Sequence, residues 1–162
     1  MSDYQKYATI VAVFATVLYA ALLVAAFGLI SLATNLDVIA DRSAGPLVGP
    51  TMAAVAVLLV LLMLILLGVK TPPDKQRVVV GFAIATGIAA YGLFIATGAI
   101  LVAAGNGELF AVVLFAGSML ASPFALSVGV LAFVVALTYS ILLASHYGEK
   151  GRPLWPWERR GE

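Results

Sequence analysis

Four stretches of this chain carry no charged side chain over lengths that only a bilayer makes useful. Thirty residues separate Lys6 from Asp37, 27 separate Arg42 from Lys70, 30 separate Arg77 from Glu108, and 37 run from Leu109 to Ser145. A helix needs about 20 mainly apolar residues to cross a hydrocarbon core roughly 30 Å thick. In lipid a helix is also the one open-chain structure that satisfies its own backbone hydrogen bonds. The runs therefore predict an all-α, polytopic membrane protein: four transmembrane helices in an up-down bundle, forming a single membrane domain over residues 1–162. The expected spans are 8–33, 48–69, 78–104 and 123–146, with an apolar non-spanning segment at 109–121 and a tail at 147–162.

Composition excludes the alternative of a water-soluble globule. Only 10% of residues are charged, against about 25% in soluble domains. The second run is the most decisive, because Val57 to Leu67 is unbroken Val, Leu, Met and Ile. On an insertion scale of about −0.3 to −0.6 kcal/mol per residue, these positions supply roughly −3 to −7 kcal/mol. A central charge would remove about 2.5–3.5 kcal/mol of that, and none is present. The chain has no cysteine, which excludes disulfides, thiolate metal sites and a Cys nucleophile.

The basic residues predict an orientation. Eight of the nine, Lys6, Lys70, Lys75, Arg77, Lys150, Arg152, Arg159 and Arg160, fall on one face of a four-span topology, and only Arg42 falls on the other. The positive-inside rule then puts both termini in the cytoplasm of a multi-pass cell-membrane protein. The first span, with about 26 apolar residues, exceeds the 7–15 of a signal-peptide core and is read as a membrane anchor. Tyr4, Tyr7, Tyr147, Trp155 and Trp157 lie at the expected cytoplasmic interface, which amphipathic rings favour.

Leu109–Ala121 is too short to cross, at about 20 Å as a helix, and too apolar throughout to lie on a membrane surface. Gly105-Asn106-Gly107 is expected to end the third span. Ser122-Pro123 has the form of an N-cap followed by a first helical residue. Two arrangements fit: a half-helix dipping in from the outer side, or an extended fourth helix kinked at Pro123. A break at Ser122-Pro123 is the preferred reading.

Lipid gives apolar helices no hydrophobic drive to associate, so small residues and a few hydrogen bonds must hold a bundle. The fourth span offers a helix-packing seam of Ala125, Gly129, Ala132, Ala136 and Ser140, repeating every three or four residues. The third span carries Gly81, Ala85, Gly87, Ala90, Gly92, Ala96 and Gly98, which suggests a central helix with several neighbours. Thr9, Ala12, Thr16, Tyr19 and Ala26 make a narrower seam on the first. The second span lacks small residues in its lower half and is expected outermost.

No acid or base falls in mid-span, which argues against a proton-coupled pump or a voltage sensor. The polar groups at depth are hydroxyls. Tyr19, Tyr91 and Tyr139 are candidate intramembrane polar contacts, either lining a cleft or bonding to helix backbones. The lone His146 suits a helix C-terminus better than a metal. Asp37, Asp41 and Glu108 gather on the outer face, where they are solvated charges or a weak cation site. No catalytic or nucleotide-binding motif occurs, so no enzyme activity, cofactor, metal or nucleic-acid partner is expected. The tail holds Trp155, Trp157, Arg159 and Arg160, an expected interfacial anchor to an anionic leaflet, with partner docking as the alternative.

The start YQKYATIVAVFATVLY, the first-loop segment DVIADRSAGP and the end RPLWPWERR resemble small four-helix membrane proteins of unknown function from bacteria. That resemblance implies a bacterial inner-membrane location and carries no activity. The expected function is a non-enzymatic membrane module that assembles with itself or with other membrane proteins in the lipid bilayer. The alternative is a small oligomeric transporter, channel or lipid-handling component for a neutral or amphipathic substrate.

Overall fold

A computed structural model describes residues 3–39, 45–71, 78–106 and 108–147. They form five helices: α1 (Asp3–Thr34), α2 (Val48–Lys70), α3 (Val80–Asn106), α4 (Leu109–Leu120) and α5 (Pro123–Tyr147). Four are long and apolar enough to cross a membrane, and α4 is the short one. The chain is thus built as a multi-pass membrane protein.

Helix ends follow local chemistry. Asn35 takes a left-handed φ of 53° directly after α1, a conformation Asn tolerates better than most residues. Gly45, at φ 87°, turns the chain into α2. The third helix runs through Gly105 and Asn106 rather than stopping before them. Ser122 accepts the Leu126 N–H on its carbonyl at 3.0 Å, and Pro123 opens α5, where its missing N–H costs nothing.

The long helices form a ring in the order α1, α2, α3, α5. The N-terminus of α1 and the C-terminus of α5 share one end, called proximal here; the loops after α1 and α3 lie at the distal end. The core runs down the axis, from Val48, Met52 and Phe94 through Tyr19, Val60 and Ala90 to Ala8, Leu64 and Tyr139. The second helix is not outermost. It buries Val48, Met52, Ala56, Val60, Leu64 and Gly68, one residue per turn, while α1 has the smallest buried share of the four. Val60 and Leu64 reach into the core, and one turn further on the small residue of this helix's lower half, Gly68, is buried as well.

Side-chain register settles the position of α4. Phe115 lies where a Cβ on Gly98 would stand, and the Tyr91 hydroxyl donates to the Leu120 carbonyl at 2.6 Å. The fourth helix therefore runs antiparallel to α3. Its end lies fifteen residues before Asn106, or about 22 Å down α3 at 1.5 Å per residue. The fifth helix continues the same way, with Phe124 and Phe94 both on Phe27 and Gly129 against Gly87. Both α4 and α5 pack along α3, with α4 ahead of α5 and the break between them at Ala121-Ser122.

Candidate functional site

The hydroxyls at depth are spent on backbone. Tyr19 and Tyr139 are fully buried and link the antiparallel α1 and α5 in both directions. Tyr19 donates to the Val128 carbonyl at 3.1 Å, and Tyr139 donates to the Ala8 carbonyl at 3.0 Å. Each ring fills core space while its hydroxyl gives a helical carbonyl a second hydrogen bond. Thr16, Thr86, Thr97 and Thr138 bond back to the carbonyl four residues earlier at 2.7–2.9 Å. Among the described residues, no buried side-chain nitrogen or oxygen lacks a partner.

Tyr91 has a different task. The Leu120 carbonyl ends α4 and has no further turn to accept from it. Deep in hydrocarbon such an orphan acceptor costs several kcal/mol, and the Tyr91 hydroxyl supplies the missing donor. The ring of Tyr91 also lines a shallow apolar groove of about 340 Å³ between α3 and α5, with Ile88, Leu126 and Val130 at its edge.

The predicted seam on α5 contains Ala125, Ala132, Ala136 and Ser140, all buried, and half-buried Gly129. Its tightest point is the crossing with α3. A Cβ on Gly87 would come 2.8 Å from the Gly129 carbonyl oxygen, and one on Gly129 would come 3.0 Å from the Tyr91 Cβ. At Gly68 on α2, a Cβ would overlap the Tyr139 hydroxyl and lie 2.9 Å from the Ala8 methyl.

The small residues of α3 divide between two faces. Gly87, Ala90 and Gly98 point inward, whereas Gly81, Ala85, Gly92, Ala96 and Ala103 are exposed. At 100° per residue the exposed five fall within about 60° of arc. No atom of a neighbouring element lies within 4 Å of a Cβ built on Gly81 or Gly92. Among the described residues, Gly81 and Gly92 of this outward stripe have no partner on a neighbouring element.

At the proximal end, the Tyr4 hydroxyl reaches the carbonyls of Gly68 and Thr71 at the end of α2. Tyr7 stacks on His146 with centroids 4.2 Å apart and planes 15° off parallel, so the lone histidine joins α1 to α5. At the distal end a cavity of about 640 Å³ opens between α1, α2 and their connection, with Phe27, Asp37, Ile39 and Ala53 among its walls. No group of three or more His, Cys, Asp or Glu among the described residues could hold a metal ion. Asp41 and the predicted anchor, Trp155, Trp157, Arg159 and Arg160, lie outside the described residues.

Sequence reasoning missed Gly68, and it named Gly87 among the small residues of the third span without pairing it with Gly129, because a glycine in a helix carries no sign of which neighbour it faces. The outward stripe was within reach, because its helical phase is in the sequence.

Over residues 1–162 the chain matches DUF6121, a family of unknown function. No curated protein and no solved structure matches it. The chain belongs to the DUF6121 family.

Proposed function

We propose that this DUF6121 member is a non-enzymatic module of a bacterial inner membrane, assembling through α3 with a second copy or with another membrane protein. The observation that carries the reading is the outward stripe of Gly81, Ala85, Gly92, Ala96 and Ala103. Small faces let helix backbones approach closely in lipid, where packing replaces the hydrophobic effect. A helix bound only for lipid contact has no use for such a face, since Leu or Ile serves as well. The alternative, transport of a neutral or amphipathic substrate, draws less support from the deep tyrosines. The hydroxyls of Tyr19 and Tyr139 are committed to helix carbonyls.

Cysteine cross-linking tests this directly in a chain that has no cysteine of its own. Ala85→Cys, Gly92→Cys and Ala96→Cys are expected to give cross-linked species in native membranes after gentle oxidation or a short bis-maleimide. Leu62→Cys, on the exposed face of α2, is expected to give none. Equal yields at all four positions, or no adduct at any, would overturn the assembly reading.

We also place both termini in the cytoplasm, on the strength of the basic residues that the sequence puts near both termini and between α2 and α3. With Leu36→Cys at the distal end and Glu149→Cys in the tail, a membrane-impermeant maleimide on intact spheroplasts should label the first. Labelling of the second should wait for permeabilisation. The reverse pattern sinks this orientation.

A further inference from the structure

The groove between α3 and α5 occupies one leaflet and no more. Met52 lies against Gly98, and α2 and α3 run antiparallel, so positions 59 and 91, seven residues on from each, stand level. Position 59 is the midpoint of α2, and 91 lies two residues from that of α3. Tyr91 therefore marks the middle of the bilayer. On its distal side, α4 lies along α3 from Phe115 at Gly98 to Leu120 at Tyr91. The 12 residues of α4 span about 18 Å, close to the roughly 15 Å of one leaflet's hydrocarbon. On the proximal side of Tyr91, Ile84, Gly87 and Ile88 of α3 form the groove with Leu126, Gly129 and Val130 of α5. At 100° per residue, the α3 positions that meet α4 and those that line the groove fall within about 100° of arc. Helix α4 and the groove thus lie on one track.

We propose that the proximal half of this track is filled by an acyl chain of a lipid from the proximal leaflet. The rim residues Ile84, Ile88, Leu126 and Val130 are exposed, and the floor is the crossing of Gly87 and Gly129, which brings no side chains. An empty trough forfeits dispersion contacts along its lining, and a flexible chain fits an irregular trough that a convex helix does not. The wall offers a headgroup nothing, because its one hydroxyl, that of Tyr91, already donates to the Leu120 carbonyl. Depth excludes α4 of a second copy, which in the same membrane orientation lies in the distal leaflet. A partner seated on the outward stripe centres about 100° further around α3 and leaves the groove facing lipid. The proposal rests on the bilayer crossing and not on assembly through α3.

The test uses the full chain in phosphatidylcholine nanodiscs holding a trace of phosphatidylcholine with a diazirine either near the ester or at the end of one acyl chain. After photolysis, mass spectrometry of peptides compares adducts in the groove with those at Leu62, an exposed residue of α2 that the same count puts level with Ile88. Groove labelling is expected to exceed Leu62 labelling by about threefold, roughly 0.65 kcal/mol of preference over ordinary lipid contact. The chain-end probe should favour Tyr91 and Leu126, and the ester-side probe Ile84 and Phe133, because the chain enters from the proximal side. Val130→Trp should fill the groove and bring its labelling down to the Leu62 level, and Ile88→Trp serves the same purpose if the first variant unfolds. Equal labelling at the groove and Leu62 overturns the proposal, as does a reversed order of the two probes, or labelling that the filling variant leaves unchanged. Disulfide-linked dimers of Ile88→Cys in native membranes, with no lipid adduct in the groove, would also overturn it, because a second copy would then cover the groove. Preferential groove labelling in a chain that shows no cross-linking at α3 would support this site while removing the assembly reading, so the two fail separately.

Discussion

Gly87→Leu and Gly129→Leu are expected to be among the most damaging single substitutions outside the loops, each weakening the bundle by about 3 kcal/mol. Added bulk in a packed interior typically costs about 1–3 kcal/mol when side chains can shift. Here the obstacle is backbone, since a Gly87 Cβ stands 2.8 Å from the Gly129 carbonyl oxygen. Neither helix can yield without opening the longest interface in the bundle. Leu62→Phe, at a position 55% exposed, swaps one lipid-facing hydrophobe for another and should leave stability within about 0.5 kcal/mol. Thermal unfolding in nanodiscs compares the three, and equal midpoints would show that the α3–α5 crossing is not the close contact described.

The second large effect belongs to the buried tyrosines, and it separates ring from hydroxyl. Tyr139→Ala and Tyr19→Ala should each cost about 3–5 kcal/mol, the range for emptying a large aromatic site in a packed core. Tyr139→Phe and Tyr19→Phe should cost only about 0.6 kcal/mol each, the average for an interhelical hydrogen bond in a membrane protein. The carbonyls of Ala8 and Val128 keep their helical N–H donors when the hydroxyl goes, so no orphan acceptor is left. Unfolding in detergent gives the ratio. If the Phe variants were as damaging as the Ala variants, the hydrogen bonds and not the ring packing would hold α1 to α5.

How far the sequence could be read depended on which physical signal each feature left. Charges left a clear one: the ends of α2 and α5 fall within a residue of the uncharged-run reading. The first span was read five residues short, because Asp3 and Lys6 look like tail, although they pair at 3.2 Å across one helical turn of α1. Ser122-Pro123 announced a break through local chemistry. Its depth did not show, because that depends on Phe115 meeting Gly98 and Tyr91 meeting Leu120, which are contacts between distant residues. The misplacement of α2 had a similar origin. The large residues from Val57 to Leu67 were taken as a sign of the periphery and Gly68 was passed over, yet Val60 and Leu64 fill the axis of the ring and Gly68 packs on Tyr139.

The sequence by itself determined that this chain has four helices long and apolar enough to cross a membrane and, to within about five residues, where they begin and end. A bilayer withholds hydrogen-bond partners from the backbone, so each segment must satisfy itself locally, and local demands are written in local sequence. Only the tertiary structure decided which side of each helix faces its neighbours, that Tyr19 and Tyr139 cross-link α1 and α5, and that α4 packs along α3 ahead of α5. Lipid and helix interior are about equally apolar, so the hydrophobic contrast that marks the inner face of a soluble helix is missing. Shape alone chooses the neighbours, and shape exists only once the helices are together.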